Sequence, residues 1–227
     1  GRRLGRRLID VRVPPPGIEV GTGRKRSGKR VLMVGTDCAL GKKFTALALH
    51  QAMVEAGAKA TFRATGQTGI FIAGAGMPMD SVVADFASGA AEQLSPDNDA
   101  DHWDVIEGQG SLFHPGFAAV SLGLLHGSQP DALVICHEAG RKAINAYPDF
   151  PTPSLTECID LHLRMARLTN PAVKAVAISL NTSKLEEAAA RTALAAAEAE
   201  TGLPATDPIR FGAAPLAEAV LTLERTP

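Results

Sequence analysis

The chain has 227 residues, 45% apolar and 21% charged, which suits one globular α/β domain with a full core. No apolar run reaches membrane-spanning length, there is no secretory signal pattern, and the three cysteines, Cys38, Cys136 and Cys158, are isolated. A membrane protein, a disulfide scaffold and a zinc-ribbon protein are therefore excluded, and a reducing cytoplasm is the expected compartment. Charge is unevenly placed. Residues 1–30 hold ten Lys or Arg against Asp10 and Glu19, a local balance of +8, which leaves −9 for the rest of a chain whose net charge is −1. No aromatic residue interleaves the basic ones, so this stretch reads as a solvated linker, with no nucleic-acid partner expected.

In chain order, residues 1–29 contain the breakers Pro14-Pro15-Pro16-Gly17 and Gly21-Thr22-Gly23, with an alternating run over 8–13 that could form an edge strand. Val31-Leu32-Met33-Val34 reads as a buried strand. Gly35-Thr36-Asp37-Cys38-Ala39-Leu40-Gly41-Lys42-Lys43-Phe44-Thr45 follows and runs into a helix to about Ala56. A strand, a glycine-bounded loop and a helix with lysine at its start form a phosphate-binding loop. Its backbone N–H groups and the helix dipole favour an anion, to which Lys42 adds a full charge. Two departures stand out: five residues separate Gly35 from Gly41 where the usual pattern has four, and Lys43 occupies the place of the Ser or Thr that holds magnesium.

Lys59 to Thr65 reads as the second strand, followed by a loop through Gly66-Gln67-Thr68-Gly69 and on to Pro78. Asp80 is expected to cap a helix ending near Leu94. Trp103 to Gly108 is a short third strand that places Glu107 where a Walker B carboxylate would stand. Ala132 to Cys136 is a buried strand ending in His137 and Glu138. Ser154-Leu155-Thr156-Glu157 and Ser183-Lys184-Leu185-Glu186 both fit capping boxes, opening helices to about Leu168 and Gly202. Lys174 to Leu180 is another strand, followed by Asn181. A last helix is expected from Pro215 to Leu223. Strand alternates with helix throughout, which predicts a doubly wound, mostly parallel P-loop-type sheet with helices on both faces, over residues 30–227. Ligands of such sheets bind beyond the carboxyl ends of the strands, a rule that gathers Thr36, Asp37, Gln67, Glu107, Gln109, His137 and Asn181 on one edge.

Several long words carry a resemblance: Ala64-Thr65-Gly66-Gln67-Thr68-Gly69, the run from Asp101 to Pro115, His126 to Ala132, Asn170 to Lys174, and Gly202 to Arg210. They resemble the D-glutamate N-acetyltransferase family, over roughly residues 8–223. The resemblance implies a P-loop domain behind an N-terminal Rossmann-like domain, so that residues 1–29 would be a linker or the tail of that domain. It also implies acetyl-CoA as donor and a D-amino acid such as D-glutamate as the small-molecule acceptor. A homo-oligomer is expected, with no metal. More distantly, the five-residue glycine spacing and Glu107-Gly108-Gln109-Gly110 are similar to dethiobiotin synthetase. That likeness gives the alternative of a magnesium- and ATP-dependent ligase or carboxylating enzyme. A non-catalytic nucleotide- or CoA-binding module is the third reading.

Under the acetyltransferase reading, Gly35, Thr36, Cys38, Ala39, Leu40, Gly41, Lys42, Lys43, Phe44 and Thr45 form the CoA-phosphate site. The acceptor amine has to lose its proton before it attacks the thioester. Glu107 is the first candidate base, then His137, with Asp37 and His114 following. Gln109, Ser111 or backbone N–H groups of the 108–111 turn would hold the thioester oxygen. Arg63 and Arg141 would bind acceptor carboxylates, with Gln67, Thr68 and Asn181 completing the pocket.

Overall fold

The computed structural model describes residues 2–5 and 9–223. Six parallel strands make the main sheet: β1 (Lys29–Gly35), β2 (Ala60–Arg63), β3 (Trp103–Ile106), β4 (Ala132–Glu138), β7 (Lys174–Asn181) and β8 (Ala205–Thr206), in the spatial order β2-β3-β1-β4-β7-β8. The remaining strands, β5 (Ala143–Ile144) and β6 (Tyr147–Pro151), form a small antiparallel hairpin beside it. β1 is central, and the chain leaves it for β2 on one side and later crosses to β4 on the other. A crevice therefore opens at the carboxyl end of β1, where the glycine-bounded loop begins.

The two faces of the sheet are built by alternation. Val31 and Met33 of β1 point to one face with Val105, Ala132 and Val134, and meet Leu49 and Met53 of α1 (Lys42–Glu55) and Leu216 and Val220 of α7 (Ala214–Thr222). Leu32 and Val34 point the other way with Ile106, Leu133 and Ile135. There they are covered by α3 (Ala87–Leu94), α4 (Ala118–Ser128), α5 (Leu155–Ala166) and α6 (Glu187–Thr201). Strands covered on both faces lose their polar positions, which is why they are continuous apolar runs in the sequence.

Several local expectations need correction. Residues 9–13 form turns rather than an edge strand, and residue 8 lies outside the described residues. Gly66 to Gly69 does not continue as a loop: Gln67–Ala73 is a short helix, α2, closed by Gly74 in the left-handed conformation. Asp80 sits in a 3-10 turn (Met79–Ser81) and caps nothing; the helix starts at Ala87. Ser154 and Glu157 form the expected reciprocal capping box. Ser183 and Glu186 do not. The helix starts at Glu187, because Ser183 turns back on Asn181 and the Lys184 side chain reaches Glu138.

The basic segment before β1 is not a solvated linker throughout. Arg26 and Arg30 are buried under the amino end of the sheet, where they donate to carbonyls of Ser27, Ser95, Pro96 and Gly127 and to Ser95 Oγ. Arg24 pairs with Asp97, Lys25 with Asp131, and the Glu92 carboxylate accepts from Thr22 and Gly23. These acids answer the local charge. No helix among the described residues is long and apolar enough to cross a membrane.

Candidate active site

The loop after β1 is held at both ends. Gly35 lies so close to the Cys136 carbonyl that a Cβ there would collide with it. Gly41 has φ 110° and Ala39 φ 54°, so the chain turns left-handed twice before entering α1. Among the described residues, the backbone N–H groups of residues 39–44 find no protein acceptor. Six consecutive free donors at the start of a helix form an anion cradle. Lys42 is buried, its Nζ donating to the Asp37 carbonyl at 2.7 Å, and burial lowers its pKa. Thr45 is turned toward the sheet, 2.7 Å from Ser179 Oγ, so its hydroxyl does not replace the one missing at position 43. On a helix, two residues amount to about 200° of rotation, which accounts for that direction.

The loop's cavity, about 370 Å³, is closed on its far side by Glu107, Gly108, Gln109 and Gly110. Gly108 is required there: a Cβ would run into the Met33 carbonyl. Glu107 is 4% exposed, and its Oε2 accepts from the backbone N–H groups of Thr65 (2.9 Å) and Gly66 (3.2 Å). Burial pushes its pKa up, against those two hydrogen bonds and the nearby Lys43, which pull it down. Gly69 presses against the same oxygen, which fixes α2 on the carboxylate. Gln109 donates to Thr65 Oγ1 at 3.0 Å. A second, polar cavity of about 350 Å³ lies beyond, sharing Lys43, Glu107 and Gln109 with the first and adding Gln67, Thr68 and Asp80.

Other candidates are placed elsewhere or already engaged. His137 binds Thr36 Oγ1 through Nδ1 at 2.8 Å and lines a separate cavity between β4, α5 and α6, so it does not share the Glu107 site; burial lowers its pKa. Asp37 is fully buried, and its carboxylate accepts from Arg141, Asn145 N–H and Cys38 N–H, which leaves it a structural anchor rather than a base. The other arm of the Arg141 guanidinium pairs with Glu138, while Arg63 pairs with Asp104 at 2.8 Å. Both terminal nitrogens of Arg141 are thus engaged, while Arg63 commits its Nε to Asp104. The Ser111 hydroxyl donates to the Gly35 carbonyl and ties the third strand's loop to the first. Asn181 reaches the Leu40 carbonyl and faces a third cavity, about 290 Å³, walled by Leu40, Phe44, Pro208, Ile209 and Arg210.

His114, Asp37 and Cys38 converge, with one ligand-type atom of each within 4.8 Å of the others. The arrangement does not suit a metal. His114 Nδ1 accepts the Gly116 N–H at 3.1 Å, which puts the ring proton on Nε2, whereas a metal-binding imidazole donates its second nitrogen to an acceptor. Burial also raises the Cys38 pKa, disfavouring its thiolate. The same tautomer argues against His114 as a base: its buried Nε2 carries a proton and no partner. Phe117, at the start of α4, stacks on its ring at 4.3 Å and Tyr147 of the hairpin meets it edge-on at 5.1 Å, a wall that the sequence did not announce.

Fold and site together define a P-loop α/β protein whose anion cradle lacks the magnesium hydroxyl and opens onto a buried carboxylate. A family model described as a domain of unknown function, the DUF1611_C P-loop domain, matches residues 19–217, and the chain belongs to that family. It is 52% identical to a protein of Tritonibacter scottomollicae and 51% identical to one of a Pseudoalteromonas species, both named D-glutamate N-acetyltransferase. The alignments cover 95% and 90% of this chain but 65% and 62% of those proteins, so the chain spans a little under two thirds of their length. A crystal structure of a DUF1611 family protein from Anabaena variabilis superposes with TM-score 0.88 at 45% identity, over 94% of this chain and 63% of that one. A cobyrinic acid a,c-diamide synthase from Mycobacterium smegmatis, with bound ADP and magnesium, superposes at TM-score 0.52 and 13% identity, over 88% and 96%, a likeness of fold alone.

Proposed function

We propose that this chain is the donor-binding and base-bearing part of an N-acetyltransferase that moves the acetyl group of acetyl-CoA to the amine of an acidic D-amino acid, D-glutamate first among them. The observation that carries this reading is the adjacency of an anion cradle without a magnesium hydroxyl and a buried carboxylate of raised pKa. CoA carries a pyrophosphate and a ribose phosphate, so the loop anchors it without cleaving any phosphate. The free N–H groups and Lys42 hold phosphate oxygens, and the cavity walled by Phe44, Asn181 and Ile209 takes the adenine. Glu107 accepts the proton of the acceptor ammonium, and the neutral amine attacks the thioester carbonyl. N–H groups of the turn after Glu107 stabilise the oxygen as it gains charge; as the intermediate collapses the nitrogen gives up its second proton, and the departing CoA thiolate takes it up.

The name of the two relatives supports the choice of acceptor. The ATP-dependent alternative fits less well: Lys43 places an ammonium where a metal ligand is wanted, and Thr45 is committed to Ser179. The test is thiol release from acetyl-CoA by the full-length protein with a panel of D- and L-amino acids. Release with D-glutamate above the other acceptors is expected. ADP formation from ATP and magnesium, with no thiol release from any acceptor, would overturn the reading.

A further inference from the structure

We infer that the polar cavity beside Glu107 is the acceptor subsite, and that Lys43 is the residue that selects an acceptor bearing a second carboxylate. The inference rests on the acetyltransferase reading and assigns Lys43 a role other than holding CoA phosphate. Three observations carry it. The two arginines near this edge are already paired and lie outside the described lining of this cavity, Arg63 giving its Nε to Asp104 and Arg141 bound to Asp37 and Glu138. Lys42 is buried in the loop, bonded to the Asp37 carbonyl. Lys43, one residue on, makes no ion pair among the described residues; its ammonium rests over the Phe44 ring at 4.6 Å, and the residue lines both the loop cavity and the cavity beyond Glu107.

That second cavity is arranged for an amino acid. Its carboxylate, Glu107, also lines the loop cavity, so it stands where the two cavities meet. Lys43 is the one cationic residue in the described lining of this cavity: Asp80 already pairs with Arg12 at 3.4 Å, and the Lys43 charge acts on Glu107, pulling down the pKa that burial raises. The side chains of Gln67 and Thr68 take no hydrogen bond among the described residues and are free to donate to carboxylate oxygens. One cation and neutral donors suit an acceptor whose two carboxylates are bound unequally: the ammonium takes one, and amide and hydroxyl donors take the other. An acceptor with an uncharged side chain forfeits the charge-assisted contact.

The test compares D-glutamate with D-glutamine in wild type, Lys43→Met and Lys43→Arg, by calorimetric binding in the presence of CoA and by kcat/KM. Methionine keeps the helix former and the length of the stem, and arginine keeps the charge. Wild type should favour D-glutamate by about tenfold or more; Lys43→Met should erase that preference and leave the KM for acetyl-CoA near wild type, and Lys43→Arg should restore most of it. If Lys43→Met turns over with its preference intact and a raised KM for acetyl-CoA, Lys43 is a phosphate contact and the subsite is wrong while acetyl transfer stands. If binding shows the preference lost in Lys43→Met but no acceptor releases thiol in wild type, the subsite stands and acetyl transfer falls.

Discussion

Replacing Glu107 by Gln is expected to lower kcat/KM for acetyl transfer by about 10²- to 10⁴-fold, the usual contribution of a positioned general base. On the proposed function acetyl-CoA affinity should change little, because the phosphates would be held by residues 39–44 while Glu107 would serve the acceptor in the adjoining polar cavity. Glutamine preserves the local structure: its carbonyl oxygen can accept from the N–H groups of Thr65 and Gly66 as Oε2 does now. The pH dependence has a definite sign. Burial raises the Glu107 pKa above its ordinary value, so the group is protonated, and useless as a base, up to a higher pH than an exposed glutamate. The wild-type rate should therefore fall tenfold per pH unit below that raised pKa, and the variant should lose this limb. Stability runs the other way. A carboxyl whose folded pKa is raised contributes stability that is fully present below its unfolded pKa and lost as pH rises through the folded one. Glu107→Gln stays neutral throughout and should unfold no earlier than wild type at neutral pH, a comparison that thermal melts at pH 5 and pH 8 would make. A variant that melts early, or one that retains full turnover, would remove Glu107 from the role of base.

The second large effect is expected at Lys42. Its ammonium lies in the loop with burial lowering its pKa, and its one hydrogen-bond partner among the described residues is the Asp37 carbonyl. An incoming phosphate gives the charge a partner it lacks, and a hydrogen bond to a charged group contributes about 1.5–3 kcal/mol. Lys42→Met should weaken acetyl-CoA binding by that amount, roughly 10- to 150-fold. Folding stability should move much less, since the lost hydrogen bond is offset by removal of a buried charge. Equilibrium titration of acetyl-CoA alongside denaturant unfolding separates the two. Unchanged affinity would mean that the phosphates sit elsewhere.

Much of the sheet was legible because its strands are buried on both faces. Val31 to Val34 and Ala132 to Cys136 carry no polar residue to interrupt them, and the loop at Gly35 was legible from its glycines and lysine. The weakly marked elements were not. β8 is two residues long, and the β5–β6 hairpin is short, with two prolines inside β6 and residues 148–151 exposed, so neither buries enough apolar surface to leave a pattern. α2 was read as a loop because Gly66 and Gly69, which signal a turn locally, are there to let the chain approach Glu107.

At the site, residue type and strand-end position pointed to Glu107, Gln109 and Lys42, but could not show which charges were already matched. Arg63 and Arg141 looked like substrate cations. Their partners Asp104 and Asp37 come from other parts of the chain, and a pairing across the sheet has no sequence signature. The tautomer of His114 is likewise set by the Gly116 N–H and by nothing in its own identity. Lys43 was visible as a missing hydroxyl, while its second cavity appears only once α2 and the 3-10 turn at Asp80 are folded against it.

On the proposed function the loop holds the phosphates of a CoA-type ligand with protein donors alone. The decisive measurement is calorimetric titration of acetyl-CoA into wild-type protein, once in excess EDTA and once in millimolar magnesium. Equal affinity in both is the predicted result, because the free N–H groups of residues 39–44 and the Lys42 ammonium supply the positive field and position 43 offers no metal ligand. Binding that collapses in EDTA and returns with magnesium would contradict the account and transfer its site to a metal-dependent nucleotide.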